Sequence, residues 1–173
     1  MVTDERFLFA LGAAGNPRKV QWCDRENNTL WTPAATNEAG SIELQTVGRI
    51  QCGVKVQNQA LILTTTDAHT ATYSGPPYVY GIERVGTSCG IVSAQGVSVV
   101  DAGAFWMGKE SFFMYSGGTV KELESDVADY VYSDINVSQM AKVVAVSNAK
   151  FSEIRWFYPS DDNTENNRYV SFN

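Results

Sequence analysis

The chain has 173 residues, 44% hydrophobic and 18% charged, which suits one domain with a sizeable core and excludes a disordered chain. Its 13 basic and 19 acidic residues leave a formal net charge of −6, which argues against a grip on nucleic acid or an anionic membrane surface as the main role. The chain opens without a basic segment leading into an apolar run, and no apolar stretch approaches the roughly 20 residues needed to span a bilayer. The expectation is therefore a cytosolic product with no membrane anchor.

From the N-terminus, Arg6–Gly12 reads as a buried strand that turns at Asn16-Pro17, and Lys19–Asp24 alternates as its partner. Arg25–Thr29 is a polar turn, Leu30–Pro33 a short apolar landing closed by proline, and Ala34–Ser41 a loop. Period-2 segments follow at Ser41–Gln45 and Arg49–Gln57, and Asn58-Gln59 makes a tight hairpin into Ala60–Thr66. His69 falls on a hairpin turn in this reading, Ala71–Tyr73 returns to a break at Gly75-Pro-Pro77, and Tyr78–Val85 is the next strand before a glycine-bounded turn at 86–90. Gly96–Ala102 leads into an aromatic hairpin, Gly103–Gly118, whose runs Ala104–Met107 and Ser111–Met114 flank a polar turn at Gly108–Glu110. Thr119–Leu123 closes that sheet.

Ser125–Met140 breaks the pattern, with Val127, Tyr130, Val131, Ile135 and Met140 at three- and four-residue spacings and Ser, Asp and Asn available as caps, so one or two helical turns are expected there. Strands resume at Ala141–Ser147 and Ile154–Tyr158. Asp161–Asn167 is a long polar hairpin tip, and Arg168–Phe172 is the last strand.

Spacing organises these strands into a repeat. Trp22, Leu63, Trp106 and Trp156, each on the inner strand of a hairpin, are separated by 41, 43 and 50 residues. Blades of a β-propeller recur at about 40–50 residues, so the expected fold is all-β: about 3–4 propeller-like blades of antiparallel sheet in one domain over 1–173, part of a larger propeller, with a helical connection near 125–140. A β-sandwich of similar hairpins is the alternative.

Enzyme signatures are incomplete. Gly86-Thr-Ser88-Cys-Gly90 matches a nucleophile elbow, but that chemistry needs a helix after the serine and a histidine base, and the sole histidine is His69. Gly103 and Gly108-Lys109 come one residue from a phosphate-binding loop, with Glu110 where a hydroxyl should hold magnesium. Asp161, Asn163 and Glu165 have the alternate spacing that opens a calcium loop, without the following glycine or the closing acid, so subunit contact is favoured over metal. The cysteines Cys23, Cys52 and Cys89 are odd in number and widely spaced, which disfavours a disulfide framework or thiolate zinc. No catalytic residue, metal or cofactor is expected. Asp134, Asn136, Asp161, Asp162, Asn163 and Glu165 are the candidate subunit or partner contacts.

Several segments together resemble a known family. They are Trp106-Met-Gly with Phe112-Phe113 and Gly117-Gly118, then Asp134-Ile-Asn136, Gln139, Lys142-Val143, and Phe151–Ser160 with Glu165–Val170. At the N-terminal end they are Thr3–Arg6, Ala10–Gly12, Val20–Asp24, Trp31–Pro33 and Ala39-Gly40. In this order they resemble the propeller-bearing tail nozzle or tail hub proteins, also called packaged-DNA stabilisation proteins, of short-tailed double-stranded DNA bacteriophages. The resemblance implies a virion tail protein, assembled in the bacterial cytoplasm, that forms a homo-oligomeric ring below the portal and its adaptor. Such a ring continues the DNA exit channel, passes DNA without sequence-specific binding and carries fibre or spike proteins. Proteins of that family run to several hundred residues. The alternative is a carbohydrate-binding or glycoside-hydrolysing propeller, which would need exposed tryptophan and tyrosine beside carboxylates in one cleft.

Overall fold

Short runs of aromatic and β-branched residues separated by Gly, Asn and Ser pairs form local hairpins, and hairpins in series form meanders. A computed structural model describes residues 1–3 and 5–173; Asp4, part of the N-terminal resemblance, lies outside the described residues. Among the described residues fourteen strands run in chain order: β1 (Phe9–Leu11), β2 (Lys19–Trp22), β3 (Gly40–Glu43), β4 (Ile50–Val56), β5 (Gln59–Thr64), β6 (Asp67–Gly75), β7 (Val79–Thr87), β8 (Val97–Val100), β9 (Gly103–Met107), β10 (Phe112–Ser116), β11 (Thr119–Leu123), β12 (Val144–Asn148), β13 (Glu153–Tyr158) and β14 (Arg168–Phe172). Every strand pairs antiparallel with its neighbour in sequence inside one of four sheets, β1-β2-β3, β4-β5-β6-β7, β8-β9-β10-β11 and β12-β13-β14. The all-β expectation is met. The helical connection is also found where expected, as α1 (Ala128–Asp134) followed by a 3-10 turn, Val137–Lys142.

The chain divides into two compact units, Met1–Thr87 and Ser88–Asn173. In the first, the aromatic side chains of β1 and β2 meet those of β7: Tyr80 sits edge-on to Phe9 at 4.8 Å and to Trp22 at 5.5 Å between ring centroids. Val20, Leu44, Ala60, Ile62 and Ala71 complete that core. In the second unit, Phe105, Met107 and Phe112 of one sheet pack with Ile154, Trp156 and Tyr158 of the other, and α1 adds Val131. Phe112 and Trp156 of this unit lie 4.9 Å apart between ring centroids. Each buried aromatic of this kind stabilises the fold by about 1.5–3 kcal/mol relative to exposure, before chain entropy is counted.

The four landmark residues fall at one topological position. Trp22, Leu63, Trp106 and Trp156 all lie on the second strand of their sheets, and each is at most 5% exposed. The three indoles also repeat one hydrogen bond, each donating Nε1–H to a loop carbonyl: Trp22 to Glu38 at 2.9 Å, Trp106 to Cys89 at 2.8 Å and Trp156 to Gly96 at 3.1 Å. A buried indole N–H needs such a partner: the loop after β2 supplies it to Trp22, and the segment between β7 and β8 supplies it to both Trp106 and Trp156.

The aromatic hairpin forms as expected from β9 and β10, with Phe112 opposite Met107 and Phe113 opposite Trp106. Trp106 and Phe113 stack at 5.9 Å, and Lys109 and Glu110 are the exposed turn. The next connection is two residues, Gly117 and Gly118, with φ of +59° and +86°. That is the geometry whose twist matches paired strands and which glycine enters without strain.

Two details differ from the sequence reading. The β4–β5 turn is Gln57-Asn58, one residue earlier than expected, because Gln57 takes the left-handed conformation at φ +53° and Val56 pairs with Gln59. His69 is not on a turn but within β6, opposite Ile62 and Arg84, and 3% exposed. The turn precedes it, fixed by the Thr64 hydroxyl, which accepts from the amides of Thr66 at 3.1 Å and Asp67 at 2.9 Å. A threonine side chain thus closes the corner that glycine or proline would mark in sequence.

Candidate functional site

The residues marked as candidate contacts converge on one edge of the second unit. Asp134 ends α1 and Asn136 caps the following 3-10 turn, its Oδ1 accepting from the Ser138 amide at 3.1 Å and hydroxyl at 2.7 Å. The same Asn136 side chain donates its Nδ2 protons to the carbonyls of Asp161 at 3.3 Å and Asn163 at 2.9 Å. Its backbone amide donates to the Pro159 carbonyl at 2.9 Å. One short amide side chain therefore holds the loop after β13 against the turn after α1.

A second clasp lies one turn further along. Lys142 Nζ donates to the Thr164 carbonyl at 2.6 Å and to Glu165 Oε1 at 2.7 Å, while Asn166 Nδ2 donates back to the Lys142 carbonyl at 2.8 Å. Inside the loop, Ser160 Oγ accepts from Asn163 Nδ2 at 2.9 Å and Asn167 Nδ2 at 3.0 Å, and the Ser160 amide donates to Asn167 Oδ1 at 2.8 Å. At the base, Asp134 Oδ2 accepts from the Tyr158 hydroxyl at 3.3 Å and lies 3.3 Å from Arg168 Nη1. Burial, and then the Asp134 carboxylate, raise the Tyr158 phenol above its ordinary value.

This arrangement presents a shaped loop whose backbone is already hydrogen-bonded and whose Asp161 and Asp162 are exposed. Preordering of that kind lowers the entropy that a partner's docking must overcome. The Asp161 and Asn163 main-chain carbonyls are both taken up by Asn136 Nδ2, and Glu165 Oε1 by Lys142. Among the described residues no three His, Cys, Asp or Glu side chains converge as a metal-binding group. Lys142, Ser160, Asn166 and Asn167 are members that were not among the candidate contacts, although all four stand in segments that carry the family resemblance.

The enzyme signatures do not assemble. Ser88 is exposed on left-handed backbone at φ +54°, as an elbow serine would be, yet an irregular segment and then β8 follow it instead of a helix. Neither ring nitrogen of His69 has a hydrogen-bond partner, and its nearest charge is the buried Asp67 carboxylate, 3.8 Å from Nδ1. Burial lowers the His69 pKa first, with the Asp67 charge opposing and Arg84 reinforcing, so the ring is held neutral. The oxygens of Asp67 serve structure: Oδ1 accepts from Thr46 at 2.8 Å and from Thr64. Gly103 and Gly108 bracket a fully buried strand and not a loop of inward amides.

No model of a known protein family matches the chain, and no curated protein matches it.

Proposed function

We propose that this chain is a structural component of a short-tailed bacteriophage tail, of the nozzle or hub type, built from propeller blades and acting through assembly. The carrying observation is the recurrence of a buried large side chain on the second strand of four successive meanders, at the spacing that blades require. The braced edge at 134–142 and 160–168 supports it by offering an ordered, partly acidic loop for a neighbouring subunit. The net charge of −6 suits a wall past which DNA slides without sticking. No catalytic residue and no cofactor enter this reading. Burial of Trp22, Trp106 and Trp156 favours packing over sugar stacking for these three indoles.

Native mass spectrometry of the protein alone, and after mixing with portal and adaptor proteins of a short-tailed phage, tests the proposal. A closed homo-oligomer, or a stoichiometric complex with the adaptor, is expected. A monomer without affinity for any tail component overturns it.

A further inference from the structure

A cleft of about 580 Å³ opens in the second unit where two hairpin ends face each other, the β8–β9 turn at Asp101-Ala102 and the β12–β13 turn at 149–152. Its floor is apolar, formed by Val100, Phe105, Ile154 and Phe172, with Phe105 and Phe172 in ring contact at 5.8 Å. Its rim is polar, with the hydroxyls of Ser147 and Ser152 and the amide of Asn148. Charge on the lining is of one sign. Asp101 and Glu153 contribute carboxylates, and among the described residues no Lys, Arg or His lines the cleft. Glu153 is answered from outside by Arg155, at 2.7 Å, whereas the exposed Asp101 has no cation beside it in the lining. Lys150, in the adjoining turn, is drawn over the Phe151 ring at 5.4 Å.

These features select an occupant. The volume lies within the range of roughly 300–1,000 Å³ usual for a bound small molecule or side-chain anchor, and the apolar floor demands an apolar group. An anionic ligand, including nucleic acid, meets carboxylates and no cation. A sugar finds no pair of open ring faces, since Phe105 is only 5% exposed and Phe172 is half-buried against it. A peptide places an aromatic side chain on the floor, its backbone groups against the serine and asparagine rim, and a neighbouring basic side chain at Asp101. We propose that this cleft is a docking site for a peptide segment carrying an aromatic anchor next to a basic residue. The proposal is independent of the tail reading, because it rests on this cleft alone.

The test is a ¹H–¹⁵N correlation titration of the whole 173-residue chain with the capped tripeptides Lys-Trp-Lys, Glu-Trp-Glu and Lys-Ala-Lys, each up to about 5 mM, a range that registers millimolar binding. Lys-Trp-Lys is expected to shift amides at 99–105 and 147–154, with the other two peptides at least roughly tenfold weaker. D101N should weaken Lys-Trp-Lys by roughly two- to fivefold, as for an exposed ion pair. A149W, on an exposed turn residue, should fill the cleft and abolish the shifts while leaving the remaining spectrum in place. Absence of shifts at these amides, equal binding of Glu-Trp-Glu, or an A149W-sensitive self-association in place of peptide binding overturns the proposal.

Discussion

His69 is the sole histidine and is buried with both ring nitrogens unpaired, an arrangement that costs about 1–3 kcal/mol relative to a satisfied ring. Above pH about 6.5 the imidazole is neutral whether the chain is folded or not. As pH falls through that value, the unfolded chain takes up a proton that the folded chain resists, since burial lowers the folded-state pKa. Stability should therefore fall on acidification from about 6.5 until the lowered folded value is reached. Thermal melts between pH 7.5 and 5.5 read this out, and H69L should flatten the slope over that window and raise neutral-pH stability by about 1 kcal/mol. Gly103 makes a different demand. Its φ is +143°, and a Cβ there would sit 2.0 Å from the Tyr115 carbonyl oxygen, so G103A should cost about 3 kcal/mol or more in chemical denaturation.

At the scale of elements, the loop after β13 is held by side chains rather than by a sheet. K142A removes the bonds to Thr164 and Glu165, so amide exchange across 161–167 should accelerate, while global stability falls by only about 0.5 kcal/mol because the pair is largely exposed. The Gly117-Gly118 turn gives a sharper contrast: G118V should cost about 1–3 kcal/mol in a denaturant melt, and G117N should be close to neutral. These two connections also mark what sequence can and cannot disclose. The aromatic hairpin was legible because two short aromatic runs flank a polar turn and close on a glycine pair, a local signal. The N-terminal half of β6 was not, because Ala68-His-Thr-Ala-Thr72 offers no apolar alternation and its preceding corner is closed by a threonine hydroxyl. Asn136 was legible as a cap ahead of a helical segment, whereas Lys142 gains its role only from a loop more than 20 residues away in sequence.

For the whole molecule, charge sets the behaviour in solution. An isoelectric point near 4.7 places a solubility minimum there, overlapping the acidic range in which His69 has already weakened the fold; turbidity against pH should peak close to that value. At about 150 mM salt no retardation of duplex DNA is expected in a gel, because few phosphates could be neutralised by a surface of net charge −6. The order of four meanders was legible from the recurrence of one large residue per sheet. The seam chemistry between hairpin ends was not, because Phe105 meets Ile154 and Phe172, themselves partners across β13 and β14, only after two sheets have packed.

The repeated indole hydrogen bond makes the chain its own optical reporter. Trp22 belongs to the first unit and Trp106 and Trp156 to the second, all buried, while Trp31 is the one half-exposed indole of the four. Native fluorescence should thus be dominated by dry, blue-shifted emitters, with iodide quenching only the Trp31 fraction. Replacing Trp22 by phenylalanine would leave the buried signal to the second unit, so that its loosening could be followed without any added dye.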